Sequence, residues 1–71
     1  MKMDNTIRVE RAKKRMTQAD LAQKVNVSRQ TIHSIETGKF VPSTVLALKI
    51  ARFFKVNIED IFSLGTQEDE D

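Results

Sequence analysis

The sequence predicts a small all-α domain of five short helices. Apolar residues recur at spacings of three and four, helix caps and stop signals separate the segments, and no stretch alternates convincingly as a strand does. At 71 residues the chain has room for one domain, expected over residues 1–64, followed by a disordered acidic tail over residues 65–71. A chain of this size buries only about 60% of its unfolded surface, so its core must be compact.

Two helices are predicted in the first third of the chain. The first spans about residues 6–14. Thr17 begins the second by capping free backbone N–H groups, and Asp20, three residues later, completes a variant of the capping box. Asn26 should end the second helix, because asparagine tolerates the left-handed conformation found at helix ends. The residues expected near the core are Ile7, Val9, Ala12 and the aliphatic stem of Arg11, then Ala19, Leu21, Ala22 and Val25.

Three more helices follow the first two. Ser28 caps a third helix that ends near Gly38, Ser43 caps a fourth, and Asn57 caps a short fifth. The segment 63–64 could extend and pair with its counterpart across a dimer. The residues expected to face inward are Ile32, Ile35, Leu46, Ala47, Ile50, Ala51, Phe53, Phe54, Ile58, Ile61 and Phe62.

Charge is unevenly distributed along the chain. Residues 1–58 contain all 12 Lys and Arg with only four acids, a net +8, whereas the whole chain carries +2. Such a basic body indicates an anionic partner, and on charge alone a solvated charged surface explains it equally well.

Composition argues against several functional classes. The absence of cysteine and the single histidine, His33, predict no disulfide, no metal site and no cofactor. The longest apolar run, residues 45–48, is too short to span a bilayer and no signal peptide is evident, so a cytoplasmic protein is expected. No Gly-rich phosphate loop or nucleophile beside a base suggests an enzyme, and no exposed aromatic platform suggests RNA binding.

The second and third helices, joined by a tight turn, form a predicted helix-turn-helix over about residues 17–37. Residues 16–39 closely resemble the Cro/repressor-type (XRE-family) helix-turn-helix, with its pattern TQ-x-x-LA-x-x-x-x-VS-x-x-x-I-x-x-x-E-x-G. Residues 41–51 and 56–62 resemble the fourth and fifth helices of that family. The resemblance spans about residues 5–64, is closest to short stand-alone members, and implies a compact lambda-repressor-like fold.

The resemblance also implies which side chains meet double-stranded DNA. The third helix would lie in the major groove, where arginine can fork onto guanine and glutamine onto adenine. The base-reading positions implied by the family are Ser28, Arg29, Gln30, His33 and Ser34. The phosphate-binding positions are Gln18, Lys39, Phe40 and Ser43, of which Phe40 would act through its backbone.

Other matched positions are structural. Arg11 and Glu36 correspond to a partly buried salt bridge between the first and third helices of the family. Glu10 stands where members often have an apolar residue, so the first helix is expected to pack more through Val9. Arg15 and Lys55 occupy helix ends that are commonly Gly or Asn, and each is expected to take a positive φ.

These features predict a homodimeric transcriptional regulator, more specifically a repressor, bound to a near-palindromic operator. Dimerisation is expected near the chain end, through Ile58, Phe62 and Leu64. The alternative is an antitoxin that autoregulates through the same helices while neutralising a toxin. That alternative requires a partner-binding segment beyond the domain, and the short acidic tail is a poor one.

Overall fold

The computed structural model describes residues 3–65, and five helices make up most of this part of the chain. The elements are β1 (Met3–Asn5), α1 (Ile7–Lys13), α2 (Gln18–Val25), α3 (Arg29–Glu36), α4 (Thr44–Phe54), α5 (Ile58–Ile61) and β2 (Phe62–Leu64). The predicted all-α class with five helices is confirmed. None of the helices within residues 3–65 is long and apolar enough to cross a lipid bilayer.

The core is built from one face of each helix. Burying one large aliphatic side chain stabilises the fold by about 1.5–3 kcal/mol, and six such side chains are almost completely covered. α2 packs against both α3 and α4, so the helix-turn-helix rests on the body of the domain. The six are Ile7, Leu21, Ile32, Ile35, Ile50 and Ile61, and the other buried apolar residues are Ala22, Val25, Ala47, Ala51, Phe54 and Phe62.

The helix ends agree with the local sequence signals. Thr17 Oγ1 accepts from the Asp20 N–H at 3.0 Å, and the Asp20 carboxylate accepts from the Thr17 N–H at 3.0 Å. These two hydrogen bonds form the predicted capping box. Asn26 takes the left-handed conformation (φ 62°) after α2, and Gly38 does so (φ 81°) after α3. The predicted N-caps and stop signals at these positions are therefore confirmed.

Two basic residues adopt the left-handed conformation that their positions predicted. Arg15 has φ 55° in the link between α1 and α2, and Lys55 has φ 58° at the end of α4. Both carry a Cβ, which crowds the backbone there at a cost of about 1–2 kcal/mol.

The chain also forms a short sheet that the sequence did not predict. β1 and β2 pair antiparallel, with Met3 opposite Leu64 and Asn5 opposite Phe62. Residues 63–64 are extended, as expected, but here they pair with β1 of the same chain; pairing across a dimer stays a prediction. Each strand has three residues, too few to show a period-two pattern, and the pairing depends on the two chain ends meeting.

The orientation of α1 also differs from the prediction. Ile7 is buried and Arg11 points inward one turn later, whereas Val9 and Ala12 are exposed. Residues i and i+4 share a face of a helix, so Ile7 and Arg11 face inward together. Val9, midway between them in sequence, then lies on the outer face. The expected packing through Val9 is therefore wrong. Ala19 in α2 is exposed too, contrary to its assignment to the core face.

The C-terminal residues divide between the core and the surface. Phe62, expected as part of a dimer interface, is only 6% exposed and belongs to the core of its own chain. Ile58 is half-buried, and Leu64 is exposed. Of the predicted acidic tail only Gly65 is described; residues 66–71 lie outside the described residues.

Candidate nucleic-acid interface

The turn between α2 and α3 sets the orientation of α3. It consists of Asn26, Val27 and Ser28, and the Val27 N–H donates to the Ala22 carbonyl at 2.9 Å. Ser28 then caps α3, its Oγ accepting from the Thr31 N–H at 3.1 Å. With so short a connection, two well-capped helices form a rigid corner.

α3 buries its apolar face and presents polar side chains on the other. Ser28, Arg29 and Gln30 are exposed at the start of the helix, whereas His33 and Ser34 are half-buried. Gln30 Nε2 lies 3.5 Å from Ser34 Oγ, one turn further along. Three of the five positions predicted to read bases are thus exposed, and two are partly covered.

Gln18 connects the first turn of α2 with α3. Its Nε2 donates to Glu36 Oε1 at 3.0 Å and lies 3.3 Å from His33 Nδ1, while its Oε1 accepts from Arg29 Nη1 at 3.1 Å. The side chain of Gln18, a residue predicted to bind phosphate, therefore contacts three side chains of α3. The sequence motif marked Gln18 as a functional position without revealing these partners.

An ion pair lies beneath this network. Arg11 donates through Nε to Glu36 Oε2 at 2.6 Å and through Nη2 to Oε1 at 3.0 Å, and its Nη1 donates to the Met16 carbonyl at 2.8 Å. The Glu36 side chain is 1% exposed and that of Arg11 is 14% exposed. The pair expected from the resemblance is present, and it ties α1 to the C-terminal end of α3.

The environment of Glu36 keeps it ionised. Burial alone would raise the pKa of Glu36, but the hydrogen bonds from Arg11 and Gln18 and the charges of Arg11 and Arg8 outweigh burial and lower that pKa below its ordinary value. The hydrogen bond to Glu36 correspondingly raises the pKa of Arg11. Glu36 is therefore a permanent acceptor at neutral pH.

The loop after α3 and the start of α4 form the other side of the predicted DNA surface. The N–H groups of Lys39 and Phe40 donate to the Ser34 carbonyl at 2.9 and 3.2 Å. The backbone of Phe40 therefore has no free donor for a phosphate, contrary to the expectation for that position. The Lys39 side chain is exposed, and Ser43 caps α4, whose first N–H groups suit an anion.

Several of the cations line grooves outside α3 and the loop that follows it. Lys24 and Phe53 line two adjoining grooves beside the C-terminal ends of α2 and α4. The other cations along these grooves are Lys14, Arg15, Lys49 and Arg52. Cations near helix C-termini interact favourably with the helix dipole. This interaction explains part of the high positive charge of residues 1–58 in structural terms.

Two positioning contacts have no counterpart in the sequence analysis. Asn5 in β1 donates through Nδ2 to the Ile35 carbonyl at 2.9 Å and so fixes the C-terminal end of α3. Arg8 Nε lies 3.8 Å from Glu36 Oε1, although its side chain is largely exposed. Neither contact follows from local spacing, because the partners are more than 25 residues apart in sequence.

Comparison with known families identifies the class. The helix-turn-helix family HTH_3 matches residues 7–61, which include all five helices. The chain belongs to the HTH_3 helix-turn-helix family. The predicted XRE-type identity is thereby confirmed, and this HTH_3 protein is a DNA-binding transcriptional regulator, a class that is not enzymatic.

Relatives of this HTH_3 protein cover nearly its whole length. A relative from Methanocaldococcus jannaschii, named as an uncharacterized HTH-type transcriptional regulator, is 58% identical over 60 residues, which are 84% of this chain and 91% of the relative. A relative of the same description from Archaeoglobus fulgidus is 52% identical over 66 residues, covering 93% of this chain and 94% of its own length.

A solved structure supports the fold. The clp gene regulator ClgR from Corynebacterium glutamicum matches with a TM-score of 0.70 at 26% identity, covering 76% of this chain and 57% of that one.

Proposed function

We propose that this regulator is a repressor that binds a near-palindromic operator as a homodimer, with α3 in the major groove. The observation that carries the proposal is the exposed polar group Ser28, Arg29 and Gln30 at the start of a helix whose opposite face is locked into the core. The major groove, about 12 Å wide, admits a helix and presents a distinct edge for each base pair. Arg29 suits guanine and Gln30 suits adenine.

Phosphate contacts would fix the register of α3 on the duplex. The exposed cation Lys39 and the capped start of α4 at Ser43 are the groups on the described surface best placed to make them. Repression requires only that the operator be occupied, whereas activation also requires a productive contact with polymerase. A DNA-facing surface is therefore sufficient for repression, which would take place in the cytoplasm.

The homodimer is proposed to form through a second copy of this chain. Val45 and Leu48 on α4 are 64% and 51% exposed and line an apolar groove with the half-buried Ile58 of α5. Leu64 is 68% exposed at the end of β2. A symmetric operator calls for a self-complementary contact, and an apolar groove beside an exposed apolar stripe on α4 provides one. Half-sites would then lie about one helical turn, roughly 34 Å, apart.

In vitro selection of bound DNA, followed by fluorescence anisotropy on the selected site, tests DNA recognition. Arg29→Ala should relax the base preference at one position of each half-site, because a forked contact with guanine is lost. Lys39→Ala should weaken binding to every sequence and reduce the salt slope by about one unit. Selection that yields no sequence preference at moderate salt would contradict the proposal.

Sedimentation and half-site binding test the dimer. Leu48→Glu should shift the protein to a monomer and weaken binding to the full operator much more than to a single half-site, because a charge is placed in the self-contact. Val9→Glu is the matched control, since Val9 is 53% exposed on a different helix and Leu48 is 51% exposed. A Leu48→Glu protein that remains dimeric would rule out this interface.

A further inference from the structure

Two adjoining grooves beside α2 and α4 form one basic surface that the proposed DNA contacts do not use. Both grooves are lined by Lys24 and Phe53, and their volumes are about 670 and 330 Å³. Five cations and one acid line them, a net charge of +4. This joined surface is the basic groove; its acid is Asp20, and its cations are Lys14, Arg15, Lys24, Lys49 and Arg52.

The cations of the basic groove have no acidic partner in the part of the chain that the structure describes. None of them lies within 4.0 Å of a carboxylate oxygen there, whereas Arg8, Arg11 and Lys13 each do. The carboxylate of Asp20 already accepts from the Thr17 N–H in the capping box. The positive charge of the groove is therefore not neutralised by the residues around it.

One of these cations is held at a conformational cost. Arg15 takes the left-handed conformation, φ 55°, at a helix end where glycine would carry no penalty. This strain exceeds what an exposed cation gains from a helix dipole, so the dipole does not account for an arginine at this position. Lys49 lies in the middle of α4, more than a turn from either end, where the dipole effect has faded. Helix dipoles therefore explain the basic groove only in part.

The floor of the basic groove is apolar. Phe53 and Met16 are half-buried and pack on the core, and the Phe53 ring meets Phe54 edge-to-face with ring centroids 5.1 Å apart. The outside of a DNA duplex offers only phosphates and sugars to such a floor. A protein segment can instead place a large apolar side chain on the floor and carboxylates beside the cations. Cations around an apolar floor therefore favour an acidic protein segment over a duplex.

The basic groove lies on the side of α2 that faces away from α3. Asp20, Gln23 and Lys24 are three or four residues apart and share one exposed side of the helix. Gln18 and Ala22, which reach α3 and the core, share the opposite side. A segment bound in the groove therefore leaves the exposed polar group of α3 open to DNA.

We infer that the basic groove is a docking site for an acidic protein segment that carries one large apolar side chain. Carboxylates of the segment pair with the cations, and its apolar side chain covers Phe53 and Met16. This contact differs from both proposed interfaces, α3 on DNA and the apolar groove between two copies, although Lys49 and Arg52 also line that apolar groove. The inference does not depend on the proposed function.

The test compares Arg15→Gly with Lys55→Gly by NMR titration of the full-length protein. The probe is a short glutamate-rich peptide with one central leucine, and a second probe replaces the leucine with glutamine. Both variants remove one positive charge and relieve left-handed strain at a helix end, so both should stay folded. Lys55 lies outside the basic groove and is the matched control.

The peptide should shift the amide signals of Arg15, Lys24 and Phe53, and its binding should weaken as salt is added. Arg15→Gly should raise the Kd about two- to fivefold, as for an exposed ion pair, whereas Lys55→Gly should leave it nearly unchanged. Replacing the leucine with glutamine should raise the Kd about four- to tenfold, because the apolar floor is left uncovered. Equal losses in the two variants would assign the binding to net charge alone and overturn the inference, as would indifference to the leucine.

Two further measurements separate the other occupants of the groove. A second copy in the groove would make the Arg15 and Lys24 signals move with protein concentration in the absence of peptide. A non-operator DNA duplex that shifted these signals and displaced the peptide would make the groove a phosphate-binding surface. Either result would overturn the inference, as would a failure of the peptide to bind at low salt.

Discussion

Replacing Arg11 with methionine should be one of the most damaging single changes in this domain. A stable domain of 71 residues has an unfolding free energy of about 4–11 kcal/mol. Arg11→Met removes the three hydrogen bonds that the guanidinium makes to Glu36 and Met16. The carboxylate left behind is 1% exposed and keeps only Gln18 and the distant Arg8 as partners. An orphaned buried charge of this kind costs about 3–5 kcal/mol.

Replacing the other partner of the ion pair should lower the unfolding free energy less. Glu36→Gln leaves a guanidinium that is 14% exposed and still bonded to the Met16 carbonyl, with a neutral amide oxygen in place of the carboxylate. Its expected cost is about 1–3 kcal/mol, typical of a hydrogen bond to a charged group. The double variant Arg11→Met/Glu36→Leu removes both charges and should recover most of the loss, because apolar residues of similar volume can replace a buried ion pair.

Urea denaturation followed by circular dichroism measures the unfolding free energy of all three variants, and its pH dependence adds a further check. In Arg11→Met, burial is no longer opposed by Arg11 and should raise the pKa of Glu36 above its unfolded value. The difference in unfolding free energy between Arg11→Met and the parent should therefore shrink as the pH falls from 7 to 4 and Glu36 takes up a proton. Equal costs for Arg11→Met and Glu36→Gln would refute this reasoning, as would a double variant no more stable than Arg11→Met.

Three further predictions concern the stability of the fold. Ser28→Ala should lower the unfolding free energy by about 1 kcal/mol in urea titration, because α3 loses its N-cap. Arg15→Gly should raise the melting temperature by relieving about 1–2 kcal/mol of left-handed strain, whereas Lys13→Gly in the last turn of α1 should lower it. Because the pKa of Glu36 is lowered in the fold, its contribution to stability is present above the ordinary value of 4.5 and is lost as the pH falls through the lowered one; Glu36→Gln should flatten acid unfolding there, as followed by circular dichroism.

Features that depend on neighbouring residues could be predicted from the sequence. The Thr17–Asp20 capping box, the left-handed Asn26 and the Ser28 and Ser43 caps all involve partners within four residues, and the structure has each of them. Their chemistry is decided by the side chain and the adjacent backbone alone. The helix-turn-helix and its exposed polar group follow from these local signals together with the apolar spacing.

Features that depend on distant residues could not be predicted in the same way. The orientation of α1 is set by Arg11 meeting Glu36, 25 residues away. The family resemblance predicted this pair, whereas apolar spacing alone also placed the exposed Val9 and Ala12 near the core. The pairing of β1 with β2 is extended by a hydrogen bond from the Thr6 N–H to the Ile61 carbonyl at 2.9 Å, which exists only once the chain ends meet. The partner of Gln18 is equally non-local, since Glu36 is 18 residues away.

The position of the ion pair offers a physical reason for keeping a charge in so small a core. A buried pair is often no more stabilising than well-packed apolar residues, so stability alone does not require Glu36. An apolar side chain, however, offers no acceptor to the Gln18 amide, and only an oriented amide can present its oxygen to Arg29. Glu36 thus orients the Gln18 amide, while Arg11 stabilises the buried carboxylate. The charge that makes the core vulnerable to Arg11→Met is then the same charge that orients the Gln18 amide.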